Sequence, residues 1–549
     1  MKKALLLLLT FSSSLLMAQR YLSPLFSETV TQDVTYGTNI DFLTSRTSDP
    51  MQVGADLTAL KTAVATGQPI PAAYYNPADT TTDLKVTDLK YDLYEPANDT
   101  ARNRPLVVYI HTGNFLPPQV NGGINGSKRD SSAIVMCTRL ARHGYVAIAP
   151  NYRLGWNPLD TSRVQRRAQL LNAVYRAIHD MKELVRVVKA DASNLGIDPD
   201  RITFMGEGSG GYVALAYSTL DKWAEVEINK FTFPGTNTSY VDSNLVGNIE
   251  GLGGPATLTL YQDNGQPTDI AMCINMGGAL ADISWLEAGD PAMISFHCVR
   301  DPFAPFGDGT VIVPTTNEDV VDVSGANVFM KKANNLNNNT YNTRTYNDAI
   351  TQAAQSRYGQ TYSYIYPAPF DTISVNTGVE GLFPVLQPLG NSVFENNGSP
   401  WQWWDPNGPI ASQTIPGTTP PVTYHQAGLQ SNPRMSSQFG RTYQDTILGY
   451  SLPRMVEQLN LPLSQQEFDL AGQLSLYPNP AGERIALTST DPDLDLEFFI
   501  LMDVSGKTVR SGDLSNQKAW IDLSSLNKGV YMIQVGTSEG TATKRLVKQ

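Results

Sequence analysis

Between residues 85 and 300 the chain alternates short apolar runs with amphipathic segments, and few folds accommodate that order. Residues 85–96 (KVTDLKYDLYEP) have the period-two pattern of a strand. The runs RPLVVYIH (104–111), YVAIAPNY (145–152), RITFMG (201–206), DIAMCINMG (269–277) and AMISFHC (292–298) are apolar almost throughout. That is how strands buried on both faces read. Residues 131–144 and 164–196 fit helices, each closed by a glycine, Gly144 and Gly196. Strands alternating with helices predict an α/β fold built on a mostly parallel, doubly wound sheet. In such a sheet the ligand site lies at the carboxyl ends of the strands.

The chain has 549 residues, too many for one ordinary core, so two or more domains are expected. After residue 302 the alternation fades. Residues 305–435 are rich in Asn, Thr, Pro and Gly and read as long excursions over the edge of the site. They contain PWQWWDP (400–406), whose Trp401, Trp403 and Trp404 serve either as a stacking platform or, more commonly, as packing for a loop. Residues 436–461 predict a last helix, interrupted near Pro453. A boundary follows near 462–472. Beyond it, LSLYPNP, RIALTST, LEFFILMDVSGKTV, AWIDLSSL, GVYMIQVG and TATKRLVK predict a small antiparallel β-sandwich.

The N-terminus pairs Lys2 and Lys3 with ALLLLLTFSSSLL and a small residue, Ala18, at a cleavage point, so residues 1–18 are expected to be a secretory signal peptide. The apolar run is too short to span a bilayer, and no later segment has the length. A net charge of −12 argues against nucleic acid or an anionic membrane as partner. Cys137, Cys273 and Cys298 all lie in apolar runs and are expected to be buried free thiols, with one disulfide possible but not required. No metal-ligand spacing occurs, and neither a metal nor a cofactor is expected. The acids of DPDLDLE (491–497) fit an exposed strand edge better than a cation loop.

The C-terminal stretches LYPNPA (476–481), MDVSGKTV (502–509), IDLSSLNKGVYMIQV (521–535) and KRLVK (544–548) resemble, in order, the type A sorting domain of the type IX secretion system of Bacteroidetes. The resemblance implies the type IX machinery as a partner, and a secreted or cell-surface location. The larger part is similar to carboxylesterase-like α/β-hydrolases. The similarity rests on YDLYEP (91–96), RPLVVYIHTGNF (104–115), VAIAPNYRLGW (146–156), residues 175–211 and ISFHCVRDPFAPF (294–306). The expected organisation is a signal peptide (1–18), an α/β-hydrolase domain (19–465) and a C-terminal sorting domain (466–549).

Such esterases carry H-G-G-G-F, whose glycines let backbone N–H groups approach a developing oxyanion. Here the stretch is His111-Thr112-Gly113-Asn114-Phe115, so Gly113 and Asn114 are the candidate oxyanion or binding residues. The family's D-P-x-R-I-x-x-x-G-E-S-A-G-G aligns without insertion with Asp198–Gly211, and the nucleophile position falls on Gly208. Shifting the register to promote Ser209 would place Glu207 where a small residue is wanted. Ser209 is instead expected to open the helix, as a cap, with its N–H near the oxyanion site. Asp301 matches the acid that orients the catalytic histidine, or else caps its own turn; Asp282 is a second carboxylate near a strand end. Of the histidines at 111, 143, 179, 297 and 425, only His425 has the chain order of a triad base. The resemblance therefore implies a hydrolase scaffold that lacks its attacking group and acts by binding an unknown small molecule, peptide or glycan in the former active-site cleft. The alternative is an active serine esterase or peptidase that uses Ser209 with Asp301 and His425.

Overall fold

The computed structural model describes residues 19–301, 303–313, 318–364, 371–387, 398–462, 474–489, 494–503, 507–514, 518–537 and 540–549. The expected signal peptide, and most of the 462–472 boundary, lie outside these residues. The chain divides into two compact units, one of them Gln19–Ser464 and the other containing Gln465–Gln549.

The larger unit is built on one eight-stranded sheet. Its strands are β1 (Glu28–Ile40), β2 (Val86–Pro96), β3 (Arg104–Ile110), β4 (Val146–Pro150), β5 (Ile197–Glu207), β6 (Met272–Met276), β7 (Ala292–Cys298) and β8 (Leu382–Val385). The spatial order is β1-β2-β4-β3-β5-β6-β7-β8. β2 runs antiparallel to both of its neighbours, and β4, β3, β5, β6, β7 and β8 are mutually parallel. Every residue of β3, β4, β6 and β7 is buried, which is why those runs are apolar on both faces.

The helices that cover the sheet are α1 (Pro50–Thr66), α2 (Ser131–Arg142), α3 (Arg163–Ala190), α4 (Ser209–Thr219), α5 (Ala326–Asn335), α6 (Ala349–Gln355), α7 (Tyr424–Ser431) and α8 (Ser437–Gln458). The pleat of β3 sorts them. Leu106, Val108 and Ile110 join one core with Ile178 and Leu184 of α3, Val213 of α4 and Phe329 of α5. Val107 and Tyr109 face the opposite way, into a core with Met136 and Leu140 of α2 and Ile447 and Met455 of α8. A two-sided sheet with helices on both faces is the α/β-hydrolase arrangement.

Two expectations are corrected here. α8 runs unbroken through Pro453, because its buried residues Leu448, Tyr450 and Met455 hold the helix against the sheet despite the missing amide. The stretch after residue 302 is more than loop, since it supplies α5, α6 and the last sheet strand, β8.

In the smaller unit all strand pairs are antiparallel. A three-stranded sheet (Leu474–Tyr477, Arg484–Ser489, Lys518–Asp522) and a four-stranded one (Thr508–Asp513, Leu496–Asp503, Gly529–Thr537, Gly540–Lys548) share a core that includes Leu487, Leu501, Ile521, Ile533 and Leu546. This is the expected small β-sandwich.

Candidate active-site cleft

β5 ends at Glu207, α4 begins at Ser209, and Gly208 alone makes the turn between them, with φ 54° and ψ −117°. A side chain at that φ is strained, and glycine is not. A Cβ built on Gly208 would overlap Thr112 Oγ1 and lie 3.1 Å from Thr112 Cβ. The Thr112 side chain thus fills the space into which a residue at 208 would project. Two positions earlier, a Cβ on Gly206 would overlap the Gly210 carbonyl, so that site takes only glycine. Glu207 points away beneath the turn. It is fully buried and accepts hydrogen bonds from Tyr109 Oη (2.5 Å) and Ser132 Oγ (3.0 Å), and burial raises its pKa.

Ser209 is buried at the first position of α4. Its Oγ accepts the Asn114 amide N–H at 3.0 Å. Tyr152 lies beside it and donates its Oη–H to the His111 carbonyl at 2.9 Å. Ser209 and Tyr152 are thus each tied to the loop after β3, one by the Asn114 amide and the other by the His111 carbonyl. His111 stacks on Tyr152 with ring centres 4.5 Å apart, and burial lowers its pKa to about 4, so the ring is neutral. The Asn114 carbonyl accepts Trp156 Nε1–H at 2.8 Å, and the Gly113 carbonyl accepts the Leu116 amide at 3.0 Å. The loop after β3 is thereby fixed, and its Asn114 amide is already occupied by a hydroxyl. The sequence showed Thr112 as a departure from the glycine motif but not its place over Gly208, and it did not single out Tyr152. Tyr152 falls within the quoted VAIAPNYRLGW, but nothing in that run marks its hydroxyl as a partner of the His111 carbonyl.

Asp301 follows β7. Its Oδ1 accepts the Phe303 and Ala304 amides, each at 2.9 Å, and burial pushes its pKa up to about 7. Gly398 packs against it so closely that a Cβ there would lie 2.5 Å from Oδ2. His425, on α7, receives Trp404 Nε1–H on its Nδ1 at 3.2 Å. Among the described residues no hydrogen bond joins Ser209, Asp301 and His425. His297 Nε2 lies 3.9 Å from Asp301 Oδ2 but 3.0 Å from the Ala304 carbonyl, and burial lowers this ring to about 4. His143 bonds the Arg139 carbonyl, and His179 packs edge-on to Tyr175. Asp282 caps a turn and pairs with Lys230 at 2.8 Å.

Thr112, Gly113, Asn114, Gly208, Ser209 and Asp301 all face one cavity of about 450 Å³. Its interior is apolar, with Leu171, Ile178, Phe231, Val241, Trp285 and Val323 on the walls. Trp404 lines it as well, whereas Trp401 and Trp403 are buried in packing. Asp301 is the only carboxyl among the described lining residues, and no Lys, Arg or His joins it there. The described residues contain no His, Cys, Asp and Glu group that could hold a metal ion, and no helix long and apolar enough to cross a membrane.

Comparison with known proteins adds to this geometry. The BD-FAE family matches residues 91–309, and the family described as secretion system C-terminal sorting domain matches residues 475–549. Human arylacetamide deacetylase-like 3 is 28% identical over 148 residues, which cover 27% of this chain and 30% of the relative. Secreted lipase 5 of Gibberella zeae is 27% identical over 177 residues, which cover 31% of this chain and 30% of the relative. This chain thus spans about a third of the length of each of these two relatives. Among solved structures, a propionate-bound esterase 2 of Thermogutta terrifontis aligns at 20% identity and a TM-score of 0.26, over 40% of this chain and 70% of that one. The chain therefore carries a carboxylesterase-like α/β-hydrolase domain of the BD-FAE kind, followed by a type IX secretion sorting domain.

Proposed function

We propose that this is a secreted α/β-hydrolase-like protein without serine-hydrolase chemistry, which binds a small, largely apolar molecule in its former active-site cavity. Residues 1–18 act as the export signal, residues 19–465 as the hydrolase-like domain and residues 466–549 as the sorting address. One observation carries the reading. The strained residue of the strand-to-helix turn is Gly208, and the Thr112 side chain stands where a nucleophile's Cβ would project. An activated serine needs a base within hydrogen-bond reach, and among the described residues Ser209 Oγ is bonded to the Asn114 amide and to no imidazole or carboxylate. The Asn114 amide, the counterpart of an oxyanion donor, is bonded to that same serine.

The test is hydrolysis of short-chain aryl esters by the purified protein, together with labelling by a serine-directed fluorophosphonate. No turnover above background and no stoichiometric label are expected. Labelling at Ser209, lost in Ser209→Ala with the fold intact, would instead establish the Ser209, Asp301 and His425 alternative.

A further inference from the structure

The cavity has an unbalanced polar end. Among the described lining residues Asp301 is the one carboxyl, with a side chain 4% exposed, and no basic side chain there offsets it. Both amides it accepts converge on Oδ1. Among the described residues no hydrogen bond reaches Oδ2, and its nearest basic neighbour, His297 at 3.9 Å, is bonded to a carbonyl. Beside it, Tyr212 Oη is buried without a hydrogen-bond partner among the described residues, although it lies near enough for the Asp301 charge to raise its pKa. Trp156, Tyr175, Phe231, Trp285, Phe303 and Trp404 give the walls aromatic faces.

A buried carboxylate without a counter-charge is costly, and so is a buried phenol without a partner. A fatty-acid anion would add a second negative charge to the same space. A neutral lipid would bring no charge to offset the carboxylate. A cation supplies what is missing at the head, and aromatic walls favour it further. We infer that the cavity binds an organic ammonium compound, with its apolar or aromatic body in the interior and its protonated amine against Asp301 Oδ2 and Tyr212 Oη. This rests on the cavity-binding reading above and specifies the chemical class of the ligand.

The groups facing Asp301 are Tyr212 on α4, His297 and Cys298 on β7, and the Phe303 and Ala304 amides of its own loop. Burial keeps Tyr212 and Cys298 protonated and His297 neutral. Asp301, near 7, is thus the member that changes charge close to neutrality. Because the ammonium pairs with the carboxylate form, affinity should fall about tenfold for each pH unit below that value.

The experiment is calorimetric titration of the full chain with 4-phenylbutylammonium, 4-phenylbutanol and 4-phenylbutyrate at pH 8 and pH 5.5. The ammonium is expected to bind at least about tenfold more tightly than the other two at pH 8, and about thirtyfold more weakly at pH 5.5 than at pH 8. Asp301→Asn should abolish the preference. Tyr212→Phe should weaken ammonium binding several-fold, and it serves as the second variant if Asp301→Asn does not fold. Equal or tighter binding of the butyrate, a pH-independent ammonium affinity, or no binding of any probe would overturn the inference. Tight binding of the alcohol without ammonium preference would overturn it too, yet leave the cavity-binding reading standing. Ester turnover would overturn that reading by itself.

Discussion

At the scale of single residues, the departures at 112 and 208 fit each other. Gly208 makes room for the Thr112 side chain, and Thr112 occupies the space a serine would need. Gly208→Ser alone should therefore destabilise the protein by about 2–4 kcal/mol, from positive-φ strain and overlap together. Adding Thr112→Gly should recover about 1–2 kcal/mol of that, because only the overlap is relieved. Denaturant unfolding of the two variants measures both numbers, and neither variant should cleave esters. Asp301 makes a second residue-scale prediction. Its pKa is raised to about 7 from 3.8, so the folded state holds the proton more tightly than the unfolded chain. The associated stability is present below about pH 4 and is lost as pH rises through 7, on the order of 4 kcal/mol. Asp130, also pushed by burial to about 7, acts in the same direction. Thermal unfolding followed from pH 4 to 8 should show this decline, and Asp301→Asn should reduce it.

At the scale of elements, α3 is fastened to the sheet by charge as well as by its apolar face. Asp180 of α3 accepts Arg153 Nε at 2.8 Å, the Arg153 amide at 2.7 Å and Tyr261 Oη at 2.7 Å. Both partners of the ion pair are buried. Asp180→Ala should cost about 3–5 kcal/mol by leaving the Arg153 charge unpaired, which chemical denaturation would register. Among the strands of the large sheet, the plainest in the sequence were those buried on both faces. β3, β4, β6 and β7 read as unbroken apolar runs because water reaches neither side of them. β1 sits at the sheet edge and exposes much of its length, so ETVTQDVTYGTNI carries too little apolar signal. β8 is only the four residues LFPV and includes Pro384, which an edge strand tolerates and a central one does not. At the site, the position of Gly208 was legible because a strand, a turn and a helix follow one another without insertion. The Asn114–Ser209 hydrogen bond was not, because its members meet from segments far apart in sequence.

At the scale of the whole molecule, the two compact units have separate cores. The sorting family matches residues 475–549, within the smaller unit, so the address and the cavity are carried by different parts of the chain. Deleting residues 466–549 should leave the protein folded but retained in the periplasm, as cell fractionation with immunoblotting would show. Cys137, Cys273 and Cys298 bear on that journey. All three are buried and unpaired, and burial pushes the Cys273 thiol up to about 12. Thiolates are the species that exchange and oxidise, and these thiols offer almost none. Once folded, this protein has no disulfide to gain or lose, so its covalent structure is the same in a reducing and in an oxidising compartment.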